Sequence, residues 1–167
     1  MRCSRETRWS GRSSSSSERK AAREKIVARA IRADHLGLAP VILIADDSPT
    51  IRGFVRLVLR SLAVPFELIE VEDGAQAIAA ARNTPPALAL IDLQMPGTDG
   101  LAALRAMRAD DDVRLRDLPI YLLTAERDEA TRDACMAAGA TGFIDKPIKP
   151  GLLIDTVRRV LTPQGTP

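Results

Sequence analysis

The chain has 167 residues, of which 46% are hydrophobic and 28% are charged, values typical of one globular domain with an extension. Aromatic residues make up only 3% of the chain, so a nucleic-acid surface that stacks bases is not expected. Two cysteines, Cys3 and Cys135, exclude a disulfide framework and lack the spacing of a metal site. No apolar run approaches the roughly 20 residues that cross a bilayer, and no secretory signal is recognisable, so we expect a cytoplasmic protein without a membrane partner.

Charge is distributed unevenly along the chain. Residues 1–40 carry ten Lys/Arg against four Asp/Glu, a balance of +6, whereas residues 41–167 carry fourteen against eighteen, a balance of −4. The basic, serine-rich composition of the leader, residues 1–39, predicts a disordered segment. Residues 18–36 within it are predicted to form a helix, because apolar residues recur there at helical spacing. We interpret it as a solvated tail or an extension from a wrongly assigned start. The alternative is that its basic charge binds nucleic acid.

From Val41 onward, short apolar strands alternate with amphipathic helices. Strands are predicted over residues 41–45, 66–71, 87–91, 119–123 and 141–144. Helices are predicted from residue 49, over 75–82, over 101–107, over 128–138 and over 150–161, and residues 110–117 are predicted to form a polar loop. This alternation predicts an α/β fold with a doubly wound parallel sheet. The flavodoxin-like strand order 2-1-3-4-5 is one known solution for five such units.

The stretch from Ala87 to Gly100 is the centre of this pattern. Five apolar residues run directly into Asp92, and a loop rich in Pro, Gly and Asp follows. A strand this apolar is typical of one buried on both faces, and ligands of open parallel sheets bind beyond the carboxyl ends of the strands. Asp92 is therefore expected at a ligand site, although one aspartate could equally serve a turn, as Asp99 in the same loop could.

Polar residues also end the other predicted strands. Asp46 and Asp47 follow the first strand, Thr124 the fourth and Lys146 the fifth. Because the carboxyl ends of parallel strands meet at one edge, these groups and Asp92 are expected to share one crevice. Carboxylates this close repel one another, and a hard divalent cation, with Mg²⁺ the leading candidate, would relieve the repulsion. One carboxylate could then act as a nucleophile toward a phosphoryl group.

In this order and spacing the motifs resemble the receiver domain of two-component response regulators, over residues 40–162, with a short tail at 163–167. The resemblance implies that Asp92 accepts a phosphoryl group, in a Mg²⁺-dependent step, from a histidine kinase or a histidine phosphotransfer protein. It implies a signalling protein that assists its own phosphorylation and dephosphorylation and is not otherwise an enzyme. Because few residues follow the last helix, we expect a stand-alone receiver, similar to chemotaxis regulators, that signals through contact with a downstream protein.

The resemblance also implies roles for the other residues of the crevice. Asp46 and Asp47 would hold Mg²⁺ together with Asp92 and the backbone carbonyl of Gln94. Thr124 and Lys146 would contact the oxygens of the phosphoryl group.

Further features of the resemblance concern switching and lifetime. Phe143 matches an aromatic residue that turns inward as Thr124 moves toward the phosphate, within a readout surface formed by residues 128–138, 141–144 and 150–161. The bond between Lys146 and Pro147 is expected to be cis. Gln94 and Glu126 occupy the two positions that tune dephosphorylation, and since both are polar they predict a labile phosphoryl group.

Other functions fit part of the pattern. A Mg²⁺-dependent phosphohydrolase could use Asp92 as its nucleophile, although phosphatases of the haloacid dehalogenase type have an aspartate where this chain has Gln94. A flavodoxin-like cofactor carrier would need a Ser/Thr/Gly-rich phosphate loop after the first strand, which this sequence lacks. A receiver that has ceased to be phosphorylated is a further alternative. The arginines at 52, 56 and 60, which share one helix face, form either a solvated surface or a docking site for the kinase.

Overall fold

The computed structural model describes residues 39–62, 64–125 and 127–161. The predictions for the leader up to residue 38, for the tail at 163–167 and for Glu126 lie outside the described residues. Within the described part of the chain, no helix has both the length and the apolar character needed to cross a membrane.

Strands and helices alternate as the sequence predicts. The strands are β1 (Val41–Ala45), β2 (Glu67–Val71), β3 (Leu88–Asp92), β4 (Ile120–Thr124) and β5 (Gly142–Asp145). The helices of the described residues are α1 (Pro49–Leu59), α2 (Gly74–Asn83), α3 (Gly100–Arg108), α4 (Val113–Arg116), α5 (Glu129–Ala137) and α6 (Pro150–Leu161). All strand pairs are parallel, and the strand order is β2-β1-β3-β4-β5. The predicted doubly wound α/β fold and its strand order are confirmed.

The core consists of two apolar layers, one on each face of the sheet. Successive residues of a strand point to opposite faces, so Leu43 belongs to one layer while Ile42 and Ile44 belong to the other. All five residues of β3 are buried, as expected for the central strand of a sheet covered on both sides.

One segment differs from the prediction. The stretch at 110–117, predicted to be a polar loop, contains the short helix α4, which begins where the Asp112 side chain accepts a hydrogen bond from the Arg114 backbone N–H at 2.8 Å. Leu115 is fully buried in the core, so one apolar side chain anchors this otherwise polar segment.

Arg108, a half-buried arginine, ties that segment to the rest of the fold. Arg108 Nη1 donates to the Leu115 carbonyl at 3.0 Å, and Nη2 donates to the Leu118 carbonyl at 2.7 Å. Its Nε and Nη2 also donate to the Gly139 carbonyl at 3.0 and 2.9 Å. Desolvation by burial lowers the pKa of Arg108 from its ordinary value, although a guanidinium stays protonated at any physiological pH. The side chain thus donates to three backbone carbonyls, one within α4 at Leu115 and two in loops at Leu118 and Gly139.

Candidate functional site

The sheet brings the polar strand ends to a single edge. Asp92 is the last residue of β3 and Thr124 the last of β4, while Asp46 and Lys146 follow β1 and β5 directly. Two backbone hydrogen bonds extend the ladders into this edge, from Asp46 N to the Val71 carbonyl at 3.2 Å and from Lys146 N to the Thr124 carbonyl at 2.8 Å. The four predicted side chains therefore start from fixed backbone positions.

Three carboxylates form a cluster at this edge. Asp46, Asp47 and Asp92 each place one carboxylate oxygen within 4.8 Å of the other two. Asp46 is completely buried and Asp92 nearly so, with 4% of its surface exposed, whereas Asp47 is exposed. The cluster therefore has a buried floor and one side open to solvent, and the sequence-based expectation that these residues meet is confirmed.

Lys146 is the cation of the cluster. Its Nζ lies 2.8 Å from Asp92 Oδ2 and 2.9 Å from Asp46 Oδ2, and 20% of its side chain is exposed. Asp46 Oδ1 accepts a hydrogen bond from the Ser48 backbone N–H at 2.9 Å, but Asp46 Oδ2 accepts none of good geometry despite the nearby ammonium. One buried carboxylate oxygen thus has an ionic neighbour and no well-directed donor.

The surroundings move the pKa of both partners of the central ion pair. Desolvation by burial raises the pKa of Asp92 above that of an ordinary aspartate, and the hydrogen bond and charge of Lys146 oppose this shift only in part. Burial alone would lower the pKa of Lys146, but the hydrogen bond to Asp92 and the charges of Asp92 and Asp46 outweigh it and raise the pKa. Lys146 is therefore an ammonium at neutral pH, and it pairs with the Asp92 carboxylate, which burial makes costly to ionise.

The loop after β3 is built to lie close to Asp92. The Gln94 backbone N–H donates to Asp92 Oδ1 at 3.3 Å. Asp99 caps α3, accepting a hydrogen bond from the Ala102 backbone N–H at 2.7 Å, which confirms a role in local turn chemistry. A Cβ added to Gly100 would collide with the Asp92 carbonyl oxygen, so the first residue of α3 has to be glycine for the helix to approach the strand this closely.

The remaining predicted residues flank the cluster. Thr124 is buried, with 1% of its surface exposed, and the Lys146–Pro147 peptide bond is cis, as expected. The Gln94 side chain is exposed, and Phe143 is half-buried against the apolar layer that contains Leu122.

One contact next to the cluster was not predicted from the sequence: Arg52 binds the backbone of Asp46. Arg52 Nη1 donates to the Asp46 carbonyl at 2.7 Å, and Arg52 Nη2 pairs with Glu72 Oε1 at 2.8 Å. One turn further along α1, Arg56 Nη1 pairs with Glu70 at 2.9 Å. Two of the three arginines on this face therefore join α1 to the end of β2, and the role of this face in docking a kinase stays a prediction.

The cluster fits a divalent cation of the Mg²⁺ type. Such an ion takes oxygen ligands and is held in proteins by one or two carboxylates, completed by other oxygens and water. The three carboxylates supply hard oxygen donors, the buried Asp46 Oδ2 lacks a well-directed donor, and the exposed Asp47 leaves the site accessible.

Comparison with known proteins gives the class that this fold and site define. The family model described as the response regulator receiver domain matches residues 42–158. The chain therefore belongs to the response regulator receiver domain family.

Individual relatives agree with this assignment. The chain is 37% identical over 117 residues to the DNA-binding response regulator MtrA of Mycolicibacterium smegmatis, an alignment that covers 70% of this chain and 48% of that protein. The chain thus spans about half the length of the curated relatives it matches.

Solved structures show the same fold. The chemotaxis response regulator CheY4 of Vibrio cholerae superposes with a TM-score of 0.66 at 31% identity, covering 74% of this chain and 99% of that one. The receiver domain of the sensor histidine kinase PA1611 from Pseudomonas aeruginosa PAO1, solved with a magnesium ion coordinated in its active site cleft, gives a TM-score of 0.66 at 30% identity and covers 75% of this chain and 99% of that one.

Proposed function

We propose that this receiver domain accepts a phosphoryl group on Asp92 from a histidine kinase or a histidine phosphotransfer protein. The observation that carries the proposal is the Asp92 carboxylate, buried at the end of β3 within 2.8 Å of the Lys146 ammonium and beside two further carboxylates. A buried nucleophile next to a fixed cation suits phosphoryl transfer, which depends on positioning and on neutralising charge.

In the proposed reaction, an Asp92 carboxylate oxygen attacks the phosphorus of a phosphohistidine. The new O–P bond forms as the P–N bond breaks, and the electron pair of the broken bond returns to the imidazole nitrogen. Lys146, held at the crevice by its two carboxylate partners, would pair with a phosphoryl oxygen as Asp92 gives up its own negative charge to the acyl phosphate. Thr124, buried at the end of β4, would donate a hydrogen bond from its hydroxyl to another phosphoryl oxygen.

The acidic cluster supports a role for Mg²⁺ in this reaction. We propose that Asp46, Asp47 and Asp92 hold the ion together with the backbone carbonyl of Gln94. When bound, Mg²⁺ supplies positive charge that offsets both the repulsion among the carboxylates and the charge of the incoming phosphoryl group.

The output of the domain is proposed to be a change at the surface formed by α5, β5 and α6, read by a downstream protein. Phe143 on β5 is the proposed switch, turning toward Thr124 when that residue moves to the phosphoryl group. Phosphorylation would shift the population between two arrangements of this surface, because the phosphoryl group would stabilise one of them more than the other. Gln94, exposed beside the acceptor, and Glu126 are proposed to orient a hydrolytic water, which predicts a phosphoryl lifetime well short of many hours at neutral pH.

Intact mass spectrometry after incubation with acetyl phosphate tests the proposal. We expect one phosphoryl adduct on the full chain, formed only with Mg²⁺ and absent from Asp92→Asn. The matched control is Asp99→Asn, which changes a helix cap in the same loop and should still give the adduct.

Two results would contradict the proposal. An adduct that persists in Asp92→Asn would place the acceptor elsewhere. Steady release of phosphate over many turnovers, without a trapped adduct, would favour the phosphohydrolase alternative.

A further inference from the structure

The pairing of β4 with the edge strand β5 places Thr124 close to Phe143. In the β4–β5 ladder, Thr124 pairs with Asp145 and Leu122 pairs with Phe143. Because paired residues of neighbouring strands, and residues two apart along a strand, share a face, Thr124, Phe143 and Asp145 all lie on the same side of the sheet. Thr124 therefore has the Asp145 carboxylate beside it and the Phe143 ring one pair further back.

Arg132, from α5, contacts both of these β5 residues. Its guanidinium carbon lies 4.5 Å from the centroid of the Phe143 ring, and its Nη1 lies 3.0 Å from Asp145 Oδ1. Only 29% of the Arg132 side chain is exposed. The planar guanidinium thus makes a cation–π contact and an ion pair at the same time, two interactions that suit arginine better than lysine.

A cavity of about 210 Å³ lies beside the same guanidinium. Its lining residues are Thr124, Ala125, Arg127, Arg132, Asp145 and Lys146. The cavity therefore reaches from two residues of the proposed phosphoryl site to the arginine that covers the Phe143 ring. If the ring turns toward Thr124, it has to leave the face of the Arg132 guanidinium.

We propose that Arg132 is a positioning residue that holds the Phe143 ring away from the cavity beside Thr124 and thereby opposes uptake of a phosphoryl group at Asp92. This inference rests on the proposed function, in which Phe143 moves toward Thr124 upon phosphorylation. Coupling between two sites is reciprocal. A contact that favours the present position of the ring therefore weakens phosphoryl binding by up to the factor by which it biases the ring.

The direction of the effect separates this role from simple electrostatics. Removing a cation near an anionic ligand should weaken binding of that ligand. Removing an arginine that restrains the ring should strengthen it. From the strength of an exposed cation–π contact and a surface ion pair, we expect Arg132→Gln to lower the half-saturating ligand concentration roughly threefold to tenfold.

The experiment uses beryllofluoride, a phosphoryl mimic, titrated into the full chain at saturating Mg²⁺. Labelling of phenylalanine rings gives NMR signals from only three residues, Phe54, Phe66 and Phe143, and Phe143→Leu assigns the relevant one. We expect the Phe143 signal to shift on binding, with a lower midpoint for Arg132→Gln than for the natural chain. Arg116→Gln, the same charge loss at an exposed position on α4, outside the proposed readout surface, should leave the midpoint unchanged.

Two further variants keep the test decisive. Arg132→Lys retains the charge but loses the planar face, so its midpoint should fall between those of the natural chain and Arg132→Gln, and it decides the matter alone if Arg132→Gln does not fold. In a Phe143→Leu background, where the midpoint is measured by titration calorimetry because the Phe143 signal is absent, Arg132→Gln should no longer tighten binding, since the restrained ring is gone.

The outcomes distinguish the inference from the function beneath it. A natural chain that binds the mimic while both Arg132 variants keep its midpoint, or raise it, overturns the role of Arg132 and leaves the proposed function standing. Failure of the natural chain to bind the mimic at all would instead refute the proposed function, and the inference with it.

Discussion

Replacing Lys146 with methionine tests how far the stability of the acidic cluster depends on the ammonium beside Asp46 and Asp92. The substitution leaves two buried carboxylates, Asp46 and Asp92, without the cation that now lies 2.9 and 2.8 Å away. Breaking a buried ion pair from one side costs about 3–5 kcal/mol. The fold can limit this loss by protonating Asp92, at about 1.4 kcal/mol per pH unit above an unfolded pKa of about 3.9. Protonation of Asp92 therefore limits the loss in the free energy of unfolding to about 4 kcal/mol at pH 7 and about 1.5 kcal/mol at pH 5.

The pH dependence follows from the sign of the pKa shift. Burial already raises the pKa of Asp92 in the folded state, and loss of Lys146 raises it further. A carboxyl group with a raised folded pKa contributes stability below its unfolded pKa and loses it as the pH rises through the folded pKa. We therefore expect Lys146→Met to lower the free energy of unfolding by about 2–4 kcal/mol at pH 7 and by less than about 2 kcal/mol at pH 5.

Urea unfolding in EDTA at both pH values measures the difference. The matched control is Lys149→Met, which removes an exposed ammonium three residues along the chain and should change stability by less than about 0.5 kcal/mol. A loss that is equal at pH 7 and pH 5, or no larger than that of the control, would show that Lys146 does not stabilise the buried carboxylates. Added Mg²⁺ should restore part of the stability at pH 7, because it binds only the folded cluster.

Two further predictions concern the scaffold. Arg108→Met leaves three carbonyls without their charged donor and should lower the free energy of unfolding by about 2–4 kcal/mol. Arg105→Met, at an exposed position on the same helix, should lower it by less than about 0.5 kcal/mol. Equal losses in urea unfolding would contradict the role of Arg108. Hydrogen bonds from the backbone and hydroxyl of Thr131 lower the pKa of Asp128, so its contribution to stability is present above the unfolded pKa and is lost as the pH falls through the folded pKa. Asp128→Asn should therefore weaken the acid dependence of the melting temperature below about pH 4, and Asp133→Asn, exposed on the same helix, should not.

Much of the fold could be predicted from the sequence because its signals are local. Apolar runs that end in a single polar residue mark buried parallel strands and also name the side chains at the functional edge. Ser48 followed by Pro49 marks the start of α1 for equally local reasons. The cluster of Asp46, Asp47 and Asp92 follows from these starting points alone.

The features that the sequence could not predict depend on contacts between distant residues. Arg108 reaches a carbonyl 31 residues away at Gly139, and Arg52 reaches Glu72 across 20 residues. A pattern of arginines along a helix indicates a polar face, but which carboxylate or carbonyl each one meets is decided by how the layers pack. The helix α4 was missed for a related reason, since its one buried leucine is hidden among charged neighbours.

The proposal that Asp92 is the phosphoacceptor is best tested by identifying the residue that becomes phosphorylated. After reaction with acetyl phosphate and Mg²⁺, reduction with borohydride converts an aspartyl phosphate to homoserine, which peptide mass spectrometry can locate. We expect homoserine at position 92 alone, on the peptide that carries the end of β3. Homoserine at Asp46 or Asp47, or a stable phosphoryl group on another side chain with Asp92 unmodified, would contradict it.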